Sequence, residues 1–199
     1  MADAVVLPGG AFGPAAGMLL YAGTVAERRG ASVRWHWWSR TPPPDAAGPW
    51  VAAEVAPLLG SGPLLIGKSL GTHAAGPAAD HGLPAVWLTP LLNEPWVLDG
   101  LVRASAPCLL IGGTSDPHWD GARAHRLSRH VLEIPAANHG LQVPGPVSDS
   151  IAVLARVVTA IEDFLTAIGW PGDPGNRVED AVDDADPATG AAGGPVGSG

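Results

Sequence analysis

Six short apolar runs alternate along this chain with six longer segments of helical character, and this alternation restricts the fold more than any other feature. The predicted strands are residues 5–7, 32–37, 64–66, 85–88, 108–111 and 131–134, and the predicted helices are residues 15–29, 50–59, 70–81, 96–104, 119–128 and 147–168. Such alternation is typical of a parallel sheet, and strands that are apolar throughout fit a sheet covered on both faces. The sequence therefore predicts an α/β fold with a doubly wound, mainly parallel six-stranded sheet and helices on both faces.

Two segments also predict which side chains are buried. Five apolar residues of the segment 147–168 recur at helical spacing and predict the helix face that packs against the sheet. They are Ile151, Leu154, Val158, Ile161 and Leu165. In the strand 32–37, alternation places Val33, Trp35 and Trp37 on one face, which favours burial under a helix over a role as a binding platform.

Composition divides the chain into two parts. Of its 199 residues, 46% are hydrophobic, which is enough to form one full core. The segment 172–199 has six acidic residues, one arginine, and no aromatic residue or leucine, so it buries too little apolar surface to offset the entropy of ordering. We predict a folded domain over residues 1–171 and a disordered, acidic, Gly/Pro/Ala-rich tail over 172–199. Of the 19 acidic and 11 basic residues in the chain, 13 and 10 remain in the folded part, which is nearly neutral.

The charged residues exclude several classes of partner. A surface for nucleic acid needs clustered lysine and arginine, but Lys68 is the only lysine and the formal net charge is −8. We expect no nucleic-acid partner and no membrane association, because no apolar run approaches the roughly 20 residues of a membrane span. The single cysteine, Cys108, excludes an intrachain disulfide and is predicted to be a buried thiol. No secretory signal opens the sequence, so we expect a cytoplasmic protein.

The loop after the third predicted strand carries the strongest motif. Gly67-Lys68-Ser69-Leu70-Gly71 matches Gly-x-Ser-x-Gly between a strand and a helix, which is a nucleophile elbow that holds the serine in a strained turn. The same stretch, from Gly62 to Ser69, also matches the phosphate-binding pattern G-x-x-x-x-G-K-[ST]. The elbow is favoured because the middle of that pattern, residues 63–66, is itself the predicted strand, whereas a phosphate-binding loop is an open turn.

A serine nucleophile needs a base and an acid that orients the base, in the chain order serine, acid, histidine. The loop after the fifth strand supplies Asp116, and the loop after the sixth supplies His139. Asp120 and, less plausibly, Asp99 are alternatives for the acid. His139 is favoured among the seven histidines because it alone lies just beyond the last strand, whereas His73 is expected to pack against the sheet.

The remaining site residues are predicted from their positions in the loops. One oxyanion amide should come from Leu70, and the other from Gly10 or Ala11 in the glycine-rich loop after the first strand. Four further residues are expected to border the substrate: Phe12, Lys68, Pro95 and Trp96. The histidines and acids lack metal-ligand spacings such as H-E-x-x-H, so we expect no metal site.

The order of the segments GGAFG, GKSLG, GGTSD and ANHG over residues 5–168 resembles the α/β-hydrolase superfamily, and in particular small, lidless, bacterial proteins like dienelactone hydrolase. The resemblance implies a triad of Ser69, Asp116 and His139, an acyl-enzyme mechanism and no cofactor. The chain departs from the family in lacking its two leading strands and in having Pro8 where many members have histidine. The short interval between the fourth and fifth strands leaves no room for a substantial lid.

Three classes of function remain to be compared. The sequence favours a serine hydrolase, of the carboxylic ester hydrolase type, that cleaves a small-molecule ester or thioester. The alternative is a catalytically silent binding protein with the same fold. A nucleotide-binding protein, based on the Gly62–Ser69 pattern, is the weakest of the three.

Overall fold

The computed structural model describes residues 2–172, and all structural statements below refer to this part of the chain. The tail predicted at 172–199 lies, apart from Gly172, outside the described residues. Six strands form one sheet in the order β2-β1-β3-β4-β5-β6, and every neighbouring pair is parallel. The strands are β1 (Asp3–Leu7), β2 (Ser32–Trp35), β3 (Leu64–Lys68), β4 (Ala85–Leu88), β5 (Cys108–Gly113) and β6 (His130–Ile134). The predicted doubly wound sheet is confirmed, and it is parallel throughout.

Six α-helices cover the sheet on both faces, as predicted. They are α1 (Met18–Arg28), α2 (Ala47–Val55), α3 (Ala75–Asp80), α4 (Pro95–Arg103), α5 (Gly121–Leu127) and α6 (Val147–Ala167). Helices α1 and α6 pack together on one face, and the other four supply apolar residues to the core on the opposite face. No helix within residues 2–172 has the length and apolar character needed to cross a membrane.

Alternation along the strands builds both halves of the core. In β3, Leu64 and Ile66 point into the core beneath α1 and α6, whereas Leu65 points into the core on the opposite face. All three side chains are fully buried. Because successive side chains of a strand point to opposite faces, only a strand that is apolar at every position can bury both of its faces. Cys108 follows the same rule at the start of β5 and is buried, as predicted.

The strand order reverses direction at β1 and β3, which lie side by side in the middle of the sheet although β2 intervenes in sequence. Loops that leave the carboxyl ends of these two strands diverge to opposite faces and open a crevice, where ligands of open α/β sheets bind. The glycine-rich loop after β1 and the serine after β3 therefore meet at this crevice. The loops after β5 and β6 reach the same edge.

The second strand is shorter than predicted. It ends at Trp35, and its last contact with β1 is the hydrogen bond from the amide of His36 to the carbonyl of Val6. Since β1 itself ends at Leu7 and the next residue is a proline, which has no amide proton, the ladder cannot continue to residue 37. Trp35 packs against α1, as expected, but Trp37 is 67% exposed, so the prediction of its burial is wrong.

The face that helix α6 presents to the sheet overlaps only partly with the predicted one, and Val158, one of the predicted positions, packs partly buried against the core. Ile161 and Leu165 are buried as expected, but Ile151 is 61% exposed, so the prediction is wrong at that position. The buried stripe is Val153, Val157, Ile161, Phe164 and Leu165. The helix carries apolar residues on two adjoining faces, and only its contacts with α1 and the sheet select which one is buried.

Candidate active site

Ser69 lies at the end of β3, in the tight turn that the sequence motif predicts. Its backbone has φ of 50°, a strained value for any residue other than glycine. A Cβ on Gly67 would lie 2.6 Å from the Trp87 ring, and a Cβ on Gly71 would overlap the backbone of Leu7 in β1. Both positions therefore require glycine so that the strand and the following helix can pass this closely. That helix starts as a 3-10 helix (Ser69–Ala74) and continues as α3, where one helix over 70–81 was predicted.

His73 supports the underside of this turn. Its ring is buried, and Nδ1 lies 3.0 Å from the carbonyl oxygen of Leu70. Because a carbonyl oxygen only accepts, Nδ1 carries the proton and donates it. Burial lowers the pKa of His73, opposed by the hydrogen bond to Leu70 and by the charge of Glu94, so the neutral ring is favoured. The expectation that His73 is a packing residue agrees with this position.

Strained backbone is concentrated at this edge of the sheet. Within residues 2–172, four residues other than glycine have positive φ: Ser69, Thr89, Ala136 and Leu141. The first two follow β3 and β4 directly, and the other two lie either side of His139 in the loop after β6. Backbone strain of this kind persists only where surrounding contacts impose it, and it is common at functional sites.

A continuous chain of hydrogen bonds joins Ser69, His139 and Asp116. The Ser69 hydroxyl oxygen lies 2.9 Å from Nε2 of His139, and Nδ1 of His139 lies 2.7 Å from Oδ2 of Asp116. The Asp116 side chain is fully buried. Since a carboxylate only accepts, Nδ1 donates to Asp116, which leaves Nε2 free to accept the proton of the serine hydroxyl. The arrangement can therefore withdraw a proton from Ser69.

The two loops that carry the acid and the histidine are bonded to each other. The amide of Ser115 donates to the carbonyl of Ala137 (2.9 Å), and the amide of Ala136 donates to the Thr114 hydroxyl (2.7 Å). Asn138 then closes the turn around His139, because its Oδ1 accepts from the amides of Gly140 (2.8 Å) and Gln142 (3.1 Å). These bonds fix Asp116 and His139 relative to one another before any substrate binds.

The two alternative acids have other partners. Asp120 is the N-cap of α5, where its side chain accepts from the amide of Arg123 at 2.9 Å. Asp99 pairs with Arg103 one turn further along α4. Of the three carboxylates considered from the sequence, only Asp116 contacts His139.

The structure adds His118 to the site, although the sequence favoured only His139 among the seven histidines. Its ring packs edge-on against His139, with 5.2 Å between the ring centroids, and its Nδ1 lies 2.8 Å from Oδ1 of Asn93. Its amide donates to the second oxygen of Asp116 at 3.0 Å, so both carboxylate oxygens are satisfied. The separation of two residues between Asp116 and His118 was the only signal in the sequence, since such a turn is typical of aspartate.

Lys68 places a positive charge beside the histidine. Its ammonium group donates to the Thr89 hydroxyl and to the carbonyl oxygen of His139, each at 3.2 Å. Burial lowers its pKa, and the negative charge of Asp116 opposes that shift. The ammonium group thus holds the His139 loop against Thr89, the strained residue that follows β4, and the same side chain lines the cavity at Ser69.

The glycine-rich loop after β1 lies directly against the elbow. A Cβ placed on Gly9 would approach the Cβ of Ser69 to 3.6 Å, and one on Gly10 would approach the Leu70 side chain to 3.9 Å. The indole N–H of Trp38 holds the start of the loop by donating to the carbonyl of Pro8 at 3.1 Å. Within residues 2–172, the amides of Gly10 and Ala11 have no hydrogen-bond partner, and Leu70 lies in the first turn of its helix, where amides are unpaired. These are the three predicted oxyanion donors.

A cavity of about 510 Å³ opens over Ser69 and His139 between the β1 loop and the His139 loop. Phe12 and Lys68, both predicted to border the substrate, line it. Pro95 and Trp96 are not among its lining residues. Trp96 packs against Gly48 of α2, and its indole N–H donates to the carbonyl of His73 at 3.0 Å, so it contacts the helix that follows the elbow.

The alternative phosphate-binding interpretation has no support in the structure. Residues 64–68 are a strand in the middle of the sheet, and Leu64, Leu65 and Ile66 are fully buried, so the pattern from Gly62 to Ser69 forms no open loop of amides. Among the described residues, no group of three or more histidine, cysteine or acidic side chains is arranged to hold a metal ion.

Solved structures with the same architecture include several hydrolases. Dienelactone hydrolase from Anabaena variabilis is 17% identical, with a TM-score of 0.63 over 84% of this chain and 87% of that one. Est1E from Butyrivibrio proteoclasticus, solved with ferulic acid bound, is 12% identical, with a TM-score of 0.62 over 84% of this chain and 89% of that one. This chain has the α/β-hydrolase fold.

A third match with the α/β-hydrolase fold is a serine hydrolase without a lid from Xanthomonas campestris, which is 15% identical with a TM-score of 0.55 over 83% of this chain and 81% of that one. In this chain, the segment between β4 and β5, residues 89–107, contains α4 as its only helix. The resemblance to lidless proteins like dienelactone hydrolase is therefore confirmed at the level of fold. No family model matches the sequence, and no curated protein matches it.

Proposed function

We propose that this protein is a serine hydrolase that cleaves a small-molecule ester or thioester through an acyl-enzyme intermediate. The observation that carries the proposal is the hydrogen-bond chain from Ser69 through His139 to the buried Asp116. A serine hydroxyl is a weak nucleophile near neutral pH, and this chain is the arrangement that activates it.

In the first half of the reaction, Nε2 of His139 takes the hydroxyl proton as Oγ of Ser69 forms a bond to the substrate carbonyl carbon. The negative charge that develops on the carbonyl oxygen is stabilised by the amide of Leu70 and an amide of the β1 loop, from Gly10 or Ala11. The tetrahedral intermediate then collapses. The bond to the alcohol or thiol breaks, and the departing oxygen or sulfur takes the proton from His139.

In the second half, water replaces the departed group beside His139. The imidazole takes one proton from this water as its oxygen attacks the acyl carbon, and the same amides stabilise the second oxyanion. The bond to Oγ breaks, Ser69 recovers the proton from His139, and the carboxylic acid leaves. Asp116 stays ionised throughout and stabilises the imidazolium that forms in each half.

Two further observations favour an ester or thioester as the substrate. The proteins that share the fold include a dienelactone hydrolase and a protein solved with ferulic acid, a carboxylic acid, bound. The cavity over Ser69 has no acidic lining residue and opens without a lid domain, which suits a neutral substrate.

The test is covalent labelling with a fluorophosphonate, which reacts with activated serines. The wild-type protein should be labelled, the Ser69→Ala variant should not, and a Ser115→Ala variant should be labelled like the wild type, since Ser115 is an exposed serine at the same edge of the sheet. Hydrolysis of p-nitrophenyl acetate should follow the same pattern. Labelling of the Ser69→Ala variant would refute the role of this residue. Normal folding with neither labelling nor hydrolysis would favour the alternative of a silent binding protein.

A further inference from the structure

A second cavity, of about 250 Å³, adjoins the cavity over Ser69. The two share Gly17, Met18, Gly140 and Gln142 as lining residues, so the second continues the first between the start of α1 and the loop that carries His139. Its far wall is the N-terminal part of α6. We call this second cavity the α6 groove, and its apolar lining residues are Met18, Leu141, Val147, Ile151, Leu154 and Val157.

The exposed stripe of α6 forms this wall. Val147, Ile151 and Leu154 recur at positions i, i+4 and i+7 and therefore share one face of the helix. Val147 is 77% exposed and Ile151 is 61% exposed, although the adjacent face of the same helix is buried in the core. Folding leaves this apolar face largely in water, beside the cavity over Ser69.

Charge restricts what the groove can hold. None of the residues lining the α6 groove is charged, and in the cavity over Ser69 the only lysine, arginine, aspartate or glutamate is Lys68. The Lys68 ammonium group is already bonded to Thr89 and to the His139 carbonyl. At the outer edge of the same cavity, Phe12 of the β1 loop is 77% exposed and adds more apolar surface.

We propose that the α6 groove binds the aliphatic chain of the ester that Ser69 attacks. This inference rests on the proposed function, and it names a substrate class: esters whose chain is long enough to pass Met18 and reach Val147 and Ile151. The α6 groove continues the cavity over Ser69, so an aliphatic chain that lies in the groove runs directly from a carbonyl held at Ser69. This continuity is the reason to name the chain of the ester as the group bound in the groove. The chain belongs either to the acyl half or to the alcohol half of the ester, and the two give different kinetic patterns.

The expected effect follows from burial of apolar surface. Each methylene moved from water into an apolar site improves binding by up to about fourfold, and in an open groove we expect about twofold to fourfold for each methylene. The value of kcat/KM should therefore rise steeply with chain length until the groove is filled. Because Val147 and Ile151 are exposed, polar substitutions there remove the contact with the chain and leave the core intact.

The experiment compares two ester series on the full-length protein. p-Nitrophenyl acetate, butyrate, hexanoate and octanoate vary the acyl chain, and ethyl, butyl and octyl acetate vary the alcohol. The test variant is Val147→Ser combined with Ile151→Ser. The matched control is Val102→Ser, which changes an equally exposed valine on α4. An Ile151→Trp variant, which fills the groove, should shift the preference to shorter chains.

In the wild type and in Val102→Ser, we expect kcat/KM to rise with chain length in one of the two series. In the double variant, the ratio of kcat/KM between the longest and the shortest ester of that series should be at least about fivefold smaller. If kcat/KM did not change with chain length in either series, or rose equally in the double variant, the proposal that the α6 groove binds the chain would be wrong. The assignment as a hydrolase would still stand.

Binding to the Ser69→Ala variant, measured by titration with methyl octanoate and methyl butyrate, gives the complementary result. Tighter binding of the octanoate that depends on Val147 and Ile151, found when the wild-type protein hydrolyses no ester of either series, would support the groove and contradict the proposed function. Equal binding of the two esters would overturn the groove.

Discussion

Replacing Gly71 with alanine tests the geometry of the nucleophile turn directly. A Cβ at this position would overlap the carbonyl oxygen of Leu7 and lie 2.9 Å from its carbonyl carbon and its Cβ. All of these atoms belong to β1, which is paired on both sides in the middle of the sheet, so none can rotate away. The substitution must therefore push the helix after Ser69 away from β1.

The size of the effect follows from this overlap. Forcing an extra methyl group into a packed site costs about 1–3 kcal/mol. In a protein of this size, that corresponds to a decrease in Tm of roughly 2–12 °C. Relief of the clash requires a displacement of roughly half an ångström, and a misplacement of about 1 Å can cost a factor of about 10² in rate. We therefore expect kcat/KM to fall by at least about tenfold, because the Leu70 amide and Ser69 move relative to the β1 loop.

Gly76→Ala is the matched control, since it lies on the same stretch of chain. Its nearest neighbour would be Nε1 of Trp96 at 3.6 Å, which is an ordinary contact, and the residue is inside α3. Alanine there should stabilise the protein by about 0.4–1 kcal/mol through the unfolded state and leave the rate unchanged. Both variants are assayed by urea unfolding and by p-nitrophenyl ester hydrolysis. A Gly71→Ala variant as stable and active as Gly76→Ala would refute the account of the elbow.

A partly buried lysine, Lys68, and a buried histidine, His73, give the other predictions. Lys68→Met removes the group that donates to the His139 carbonyl. A hydrogen bond from a charged group contributes about 1.5–3 kcal/mol. We therefore expect kcat to fall about tenfold or more, with little change in KM. The urea midpoint should change little, because the lost hydrogen bond is offset by removal of an ammonium group that burial disfavours, as its lowered pKa indicates; a large loss of stability in parallel with kcat would contradict the positioning role. The pKa of His73 is also lowered from its ordinary value of 6.5 by burial. At pH values below about 6.5, the unfolded chain therefore binds a proton at His73 more readily than the folded chain does. The stability of the fold should decrease as the pH falls below about 6.5. His73→Gln should flatten this decrease in urea midpoints measured from pH 7.5 to 5, and an unchanged slope would show that His73 is not responsible.

The strands and helices were predictable because their signal is local. A strand buried on both faces has to be apolar at every position, and β3, β4 and β5 meet that requirement over a few consecutive residues. The elbow was also readable, since the two glycines and Ser69 lie within five residues of each other. The chain order then indicated Asp116 and His139, each in the loop after a later strand.

The contacts of long side chains were not predictable. Nothing local indicates that Lys68 bonds to a carbonyl 71 residues away, or that Trp96 contacts the helix after the elbow instead of lining the cavity. Trp37 was expected inside because it alternates with Trp35, but the strand ends before it when β1 reaches Pro8. Each of these outcomes depends on a neighbour that is distant in sequence.

The sequence by itself determined the periodicity of each element, and with it the class of the fold and the residues that could act together. Tertiary structure decided which of two apolar faces of α6 is buried, and so left Val147 and Ile151 in the groove. It also brought Ser69 and His139, 70 residues apart, to 2.9 Å. The physical reason is that backbone propensity and side-chain period act over a few residues, whereas burial and catalytic distances depend on how the parallel sheet aligns the ends of its strands.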